Sequence, residues 1–461
     1  MRTRTLRALA LLFLAALPLR AQGEVPAAPQ EPARFLIEKI TVAGPKEAAA
    51  NIVRAETLLR ESETYTEDQL RQAIYRVHRL PFVLDATFAL QKGSTRGAYE
   101  LVIDVQPARW FFFDHWVRAF QFDEPLELEE SFRTDPTMRS TFDLGGLAGA
   151  RLFVGRSGVL FGALDSEEGG QIGFTKYDLF HRGILASAGY SRTECCVREV
   201  LPLALDPTFT SWSFESSWKA SLGLAIPLGG PQSVQVSLSE RRGDVSSRRS
   251  VLVDPNAQIP VIFIAEGELA YGRAEAKWVY DTSDDPLLPT RGLSLSAGLE
   301  ASRFDGSDLV EIRPSVEGEL LPVEVPAFRS EQIVAAASAI RHWPITPRQT
   351  VSVTGRAFRG ISRLDNLTVQ GAEPLSKVDL DTFGGSLGVQ HAVKLKRSRG
   401  SGDFADLRLE SGLEVGVERT SPDLGPSPLE RFSAWAGFVF RNQWGRVRVF
   451  LSYLDVGKIL R

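Results

Sequence analysis

The chain has 461 residues, a formal net charge of −4 and two cysteines, which are adjacent. The near balance of acidic and basic residues excludes a general electrostatic attraction to nucleic acid. Neighbouring cysteines rarely satisfy disulfide geometry, and the five histidines show no metal-ligand spacing. We therefore expect no disulfide framework, no metal site and no cofactor.

The N-terminus has the layout of a secretory signal peptide. Arg2, Arg4 and Arg7 precede an apolar run over residues 8–19, and Ala21 supplies a small residue for cleavage. The run is shorter than the about 20 residues of a membrane-spanning helix. The pattern predicts a signal peptide over residues 1–21, and the Pro-, Ala- and Glu-rich residues 22–34 predict a flexible leader.

Residues 35–107 have the pattern of a small α+β domain. A strand is predicted near residues 35–42, and helices are predicted over 47–59 and from residue 67 to Leu80. Thr66 is expected to cap the second helix, which Pro81 ends. Two alternating segments, 82–90 and 99–105, then predict a pair of strands.

Residues 108–142 show no clear period and are predicted to be a linker. Two interpretations fit its aromatic residues at 110–113 and Trp116: they lie at a membrane surface, or they pack in a joint between two domains.

From residue 143 to 461 the chain repeats segments in which apolar residues occupy every second position and polar residues the positions between them. Leu413, Val415 and Val417, for example, alternate with Glu414 and Glu418. A period of two places the two sets on opposite faces of a strand, as a barrel with an apolar exterior and a polar lumen requires. We predict a mainly β fold, a transmembrane antiparallel β-barrel of about 16 strands behind the small domain. Residues 147–154 are predicted to be its first strand and 447–453 its last; a soluble β-sandwich or solenoid is the alternative.

Two strand-turn phrases narrow the family. The first runs through Asp178, Arg182 and Gly183, and the second through Asp281, Pro289, Arg291 and Gly292; in the second, Asp281 and Arg291 are expected to lie near each other. Both phrases resemble turns of the BamA/TamA-like outer-membrane protein assembly superfamily, the bacterial surface antigen barrels. Residues 35–107 resemble one polypeptide-transport-associated (POTRA) domain, including the phrase Tyr65 to Leu70. This resemblance implies a periplasmic domain that binds unfolded clients by strand addition.

The same superfamily carries a long loop inside the lumen. The corresponding place here is residues 367–385, with candidate residues Gly371, Leu375, Lys377, Gly384 and Gly385. The family's Arg-Gly-aromatic tip is missing from this stretch.

The resemblance implies a non-enzymatic factor of the outer membrane, with its N-terminal domain in the periplasm. Its partners would be outer-membrane lipid, unfolded client polypeptides and accessory periplasmic or lipoprotein subunits, and no nucleic acid. A two-partner secretion transporter and a passive or structural barrel remain alternatives. A hydrolase is a further one, because residues 384–388 match the nucleophile-elbow string around Ser386, although the surrounding pattern is that of a strand.

Overall fold

The computed structural model describes residues 33–122, 141–166, 169–193, 197–200, 211–251, 261–285, 289–314, 320–325, 328–367, 375–399, 404–421 and 429–456. The predicted signal peptide and nearly all of the leader lie outside these residues. Within them, no helix combines the length and the apolar composition needed to cross a membrane.

The N-terminal domain is an α+β unit. Its elements are β1 (Arg34–Ala43), α1 (Glu47–Thr57), β2 (Glu63–Thr66), α2 (Glu67–Val77), β3 (Val83–Lys92) and β4 (Ala98–Pro107), and the sheet order is β2-β1-β4-β3. Thr66 caps α2 as predicted: its hydroxyl accepts from the Gln69 N–H at 3.3 Å, and Gln69 Oε1 accepts from the Thr66 N–H at 2.9 Å. Both helices pack on the sheet through fully buried side chains such as Ile37, Ile52 and Leu70.

The second sheet is a closed β-barrel. Its ring strands are β5 (Phe111–Phe122), β6 (Thr141–Val154), β7 (Gly158–Asp165), β8 (Gly169–Leu179), β9 (Ile184–Thr193), β11 (Ser211–Gly229), β12 (Gln232–Val251), β13 (Val261–Asp281), β14 (Gly292–Pro314), β16 (Phe328–Thr346), β17 (Gln349–Leu367), β18 (Leu375–Arg399), β19 (Phe404–Ser421), β20 (Leu429–Asn442) and β21 (Gly445–Val456). Of the 17 strands in the sheet, β10 (Val197–Val200) pairs with β11 and β15 (Leu320–Val325) with β14, and the other 15 close the ring. The predicted fold class is confirmed, with 15 ring strands against an expected number of about 16.

The faces of the strands follow the predicted alternation. Apolar side chains stand on the outside, where Leu222, Leu238 and Ile333 are 60%, 52% and 60% exposed. Charged side chains such as Arg241 and Asp406 turn inward, where they are 2% and 1% exposed. Because directly paired residues share a face, this division continues from strand to strand.

The first barrel strand is β5, which lies in the predicted linker, so both the linker and the predicted first strand at 147–154 are wrong. Residues 147–154 belong to β6, the second strand. Alternation is hidden in β5 because aromatic residues occupy both of its faces: Phe111 is 36% exposed, whereas the ring of its neighbour Phe112 packs under the Arg151 guanidinium at 4.6 Å. The predicted last strand is confirmed as part of β21.

Candidate functional site: the joint between the N-terminal domain and the barrel

The first family-like phrase forms the turn between β8 and β9, and this turn contacts the N-terminal domain. Asp178 Oδ1 accepts a hydrogen bond from the Gly183 N–H at 2.9 Å, which closes the turn. Gly183 has φ +68°, and a Cβ added there would overlap Cδ2 of Leu58, the residue that ends α1. Glycine therefore suits both the positive φ and the close approach of this turn to Leu58. Arg182 is exposed at the turn.

The second phrase forms the hairpin between β13 and β14, which also contacts the domain. Asp281 Oδ2 lies 3.1 Å from the Arg79 guanidinium, and Arg79 also donates to the Asp281 carbonyl at 2.6 Å. Arg291 donates to the Tyr75 hydroxyl at 2.8 Å. Within the hairpin the backbone pairs Arg291 with Asp284 nearer the tip, and Asp281 with Ser294.

The remaining two residues of this phrase shape the hairpin. Gly292 has φ +119°, a conformation that side chains other than glycine rarely adopt. Pro289 lines a lumenal cavity of about 380 Å³, together with Asp281, His342, Arg356 and Glu414. Polar and charged groups on opposite strands thus enclose water-accessible space just inside the barrel.

Arginines complete the joint at other short turns. Arg76 donates to the Gly230 carbonyl between β11 and β12, and Arg151 of β6 donates to the Pro81 carbonyl. Arg441 of β20 donates to the Val83 carbonyl at 3.2 Å and lies 3.5 Å from Asp285. These arginines were not predicted, because an isolated arginine at a helix end or on an inward strand position has no distinctive sequence signal.

An apolar cluster continues from the domain into the barrel. Phe82 packs edge-on against Phe153 of β6 and Tyr177 of β8, at centroid distances of 5.0 and 6.4 Å. Val159 of β7 belongs to the same buried cluster. Through these apolar contacts and the polar contacts above, the N-terminal domain touches the barrel at β6, at the turns that follow in order as far as β14, and again at β20. It therefore lies across the end of the barrel at which the short turns are found.

Among the carboxyl groups of this joint, Glu56 of α1 has the pKa that is shifted most from its ordinary value. Burial raises the pKa of Glu56 to about 7, although the positive charges of Arg76 and Arg79 oppose the rise. The Tyr177 hydroxyl of the barrel lies within electrostatic range of the carboxyl. We therefore expect the ionisation of Glu56 to affect the packing of the domain against the barrel.

The predicted lumenal loop is mostly a strand. Leu375, Lys377, Gly384 and Gly385 all lie in β18, where Gly384 pairs with Phe358 of β17. A Cβ at Gly384 would come 2.7 Å from the Phe358 ring, so the glycine accommodates an aromatic neighbour. Gly371 lies outside the described residues.

Ser386 continues the same strand and lacks the strand-to-helix turn of a nucleophile elbow. Its hydroxyl donates to Glu414 Oε1 at 2.7 Å across the β18–β19 pair.

Comparisons with known proteins identify similar folds only. No family model and no curated protein matches the chain. Among solved structures, BamA from Haemophilus ducreyi lacking POTRA domains 1–3 is 11% identical at a TM-score of 0.39, covering 92% of this chain and 81% of that one. CdiB from Acinetobacter baumannii is 10% identical at 0.33, covering 87% and 70%, and CdiB from Escherichia coli is 12% identical at 0.31, covering 94% and 89%. Similarity at this level assigns neither a family nor a function.

Proposed function

We propose that this chain is an outer-membrane β-barrel that inserts or exports client polypeptides without enzymatic chemistry or a cofactor. The observation that carries the proposal is the seam between β5 and β21. It is a parallel pair, whereas every other pair of neighbouring ring strands in the described residues is antiparallel. Parallel pairing is slightly less stable per residue, so the seam is the natural place for the ring to open.

The exterior supports a membrane location. A belt of exposed Leu, Ile, Val and Phe side chains surrounds the strands, while the lumen is charged. Burying such side chains in lipid is favourable by about 25 cal/mol per Å² of apolar surface. Backbone groups are satisfied around the ring, as a membrane interior demands. The short-turn end with its docked domain would then face the periplasm.

The N-terminal domain is proposed to act as a POTRA-like receptor for unfolded clients. Its sheet ends at β3, where Thr87 and Ala89 are exposed. The start of this edge is already occupied, because His78 Nε2 lies 2.9 Å from the Ala86 carbonyl oxygen and 3.1 Å from the Ala86 nitrogen. The remaining edge, residues 87–92, can pair with an extended client segment by strand addition.

Depletion combined with site-specific crosslinking tests this function. Loss of the protein should lower the abundance of other barrels or of an exported partner. A photo-crosslinker at Ala89 should capture unfolded clients, whereas one at Arg54, exposed on α1, should not. Normal abundance of every outer-membrane and exported protein after depletion would refute an assembly or export role.

A passive or structural barrel is the second candidate. It is favoured by β18, which forms a strand at the place where the assembly superfamily is expected to carry its lumenal loop. Reconstitution in liposomes separates the two: a passive pore would conduct ions steadily. The assembly factor should conduct little while its N-terminal domain lies across the mouth.

A further inference from the structure

A basic pocket lies at the short-turn end of the barrel, between the β13–β14 hairpin and the turn from β16 to β17. Its volume is about 270 Å³, and among the described residues that line it Asp284 is the one acid. The cationic side chains that line it are Arg291, Arg348, Lys394 and Arg408. The cavity of about 380 Å³ differs, because it is lined by Asp281, Glu414 and a single arginine, Arg356. Positive charge is therefore a property of this pocket and not of the lumen as a whole.

Two of the cations lie opposite each other on neighbouring strands. Lys394 of β18 pairs directly with Arg408 of β19, so the two side chains share the lumenal face. Like charges at directly opposite positions repel each other. Arg408 has a compensating ion pair with Asp406 at 3.1 Å, and Glu410 lies within electrostatic range of Arg408 and of two arginines of β21. These carboxylates lie on the Arg408 side and outside the lining, so the pocket itself stays cationic.

The acid in the lining is already used by the hairpin that carries it. Asp284 Oδ1 accepts from the Thr290 N–H at 2.8 Å and from the Arg291 N–H at 3.2 Å, and Oδ2 accepts from the Thr290 hydroxyl. The Arg291 guanidinium lies farther away, with Nε 4.0 Å from Asp284 Oδ2. The carboxylate therefore closes the hairpin and leaves the guanidinium directed to the pocket and to Tyr75 of α2.

The β16–β17 turn brings a third cation and two hydroxyl groups to the same place. The Arg348 N–H donates to Thr346 Oγ1 at 3.2 Å, and the Arg348 carbonyl accepts from the Lys394 N–H at 2.7 Å. These bonds hold the turn against β18 and place Arg348 beside Lys394. Thr346 and the buried Thr350 also line the pocket. Cations and hydroxyl donors from separate hairpins thus converge on one space.

We propose that this pocket binds a phosphoryl group. Guanidinium groups bind two oxygens of a phosphate at once, a lysine adds a point charge, and hydroxyls donate to the oxygens that remain. A carboxylate has one charge and two oxygens in one plane, and it would leave several of these donors unmatched. The site does not depend on the proposed function, because it includes neither the β3 edge nor the seam.

Two sources can supply this chemistry, a soluble phosphate compound and the headgroup of a membrane phospholipid. The second is within reach because Trp343 and Ile345, close to the same turn, are exposed on the outside of the barrel. Tryptophan is typical of the level at which lipid headgroups lie. The rim of the pocket is therefore near the membrane surface.

Calorimetric titration of inorganic pyrophosphate into the full-length protein tests the site. The protein is held in dodecyl maltoside, a detergent without phosphate. One molecule should bind per chain, and Arg348→Gln and Lys394→Gln should each weaken the affinity about tenfold, as expected for a lost hydrogen bond to a charged group. Arg348→Lys should recover part of the loss, because it keeps the charge and removes the fork. Arg156→Gln, at an exposed arginine of the β6–β7 turn, is the matched control and should bind normally.

Mixed micelles separate the two sources. Displacement of pyrophosphate by phosphatidylglycerol, but not by the carboxylate lipid cholesteryl hemisuccinate at the same mole fraction, would identify a lipid headgroup as the ligand. No displacement by either lipid would identify a soluble phosphate compound. Replacing chloride by acetate at constant ionic strength should leave the affinity unchanged. Failure of pyrophosphate to bind, an equal loss in Arg156→Gln, or competition by acetate would each overturn the phosphoryl site.

Discussion

Raising the pH from 4.5 to 8 should loosen the N-terminal domain from the barrel, because Glu56 ionises in that interval. When the domain is undocked, the carboxyl is in water and titrates near its ordinary value of 4.5; in the joint its pKa is about 7. Below pH 4.5 both states hold the proton and docking has its full strength. Between 4.5 and 7 only the docked state holds it, so docking weakens as the pH rises, and above 7 the loss is complete.

The size of the effect follows from the two pKa values. The interval from 4.5 to about 7, at ~1.4 kcal/mol per unit, gives at most about 3 kcal/mol of docking free energy. Arg76 and Arg79 stabilise the ionised form and are already included in this balance. Glu56→Gln, which is neutral at every pH, should remove the dependence and tighten docking at pH 8.

Distances between spin labels measure the docked fraction directly. Labels at Arg54→Cys on α1 and Ala301→Cys on the outside of β14, in a chain with Cys195 and Cys196 replaced by Ser, occupy exposed positions on the two bodies. Glu47→Gln, at the exposed start of α1, is the matched control and should keep the pH dependence. A docked fraction that rises with pH, or one that responds equally in the Glu56→Gln variant, would refute the reasoning.

Three further changes test the joint, the lumen and the exterior. Gly183→Ala should lower the docked fraction in the same distance measurement, because the added Cβ meets Leu58. Gly229→Ala is the control, because Gly229 also has a positive φ but has open space around it, and this variant should leave the docked fraction unchanged. Equal effects of the two variants would show that only backbone strain matters. Asp406→Ala should destabilise the barrel by about 3–5 kcal/mol in a thermal unfolding assay, because it removes a partner of Arg408, which is 2% exposed. Asp381→Ala, whose partner Arg359 is exposed, should cost less than about 1 kcal/mol, and a ranking in the other order would contradict the assignment of faces. Leu238→Arg on the outside should cost about 2–4 kcal/mol of folding into lipid vesicles, whereas Ser237→Arg on the lumenal face should fold nearly normally; equal losses would argue against a lipid-facing exterior.

Much of the architecture can be predicted from the sequence, because it depends on local periodicity. Alternation over segments such as 232–240 and 387–395 predicts strands and their apolar face, and both segments lie in β12 and β18. The helices of the N-terminal domain follow from spacings of three and four and from the Thr66 cap. These signals arise between residues that are neighbours in the chain, so a single sequence displays them.

The candidate site was visible only in part for the same reason. The phrases containing Gly183 and Asp281 stand out as turns, and both turns lie in the joint. Their partners Leu58 and Arg79 are more than 100 positions away in sequence, and nothing local in the sequence marks those contacts. The lumenal loop was misplaced because Gly384 and Gly385 suggest a turn locally, whereas pairing with β17 and β19 on both sides holds them in a strand.

The sequence by itself determined that this chain builds a small α+β domain and a sheet with one oily face, because side-chain period decides which face of each strand meets which solvent. Only the tertiary structure decided that β5 begins the ring, that the 15-stranded ring closes through one parallel pair, and that the N-terminal domain lies over the mouth of the barrel. Ring closure depends on the total number of strands and on pairing between the two most distant segments of the barrel, and neither is a property of any local stretch of residues.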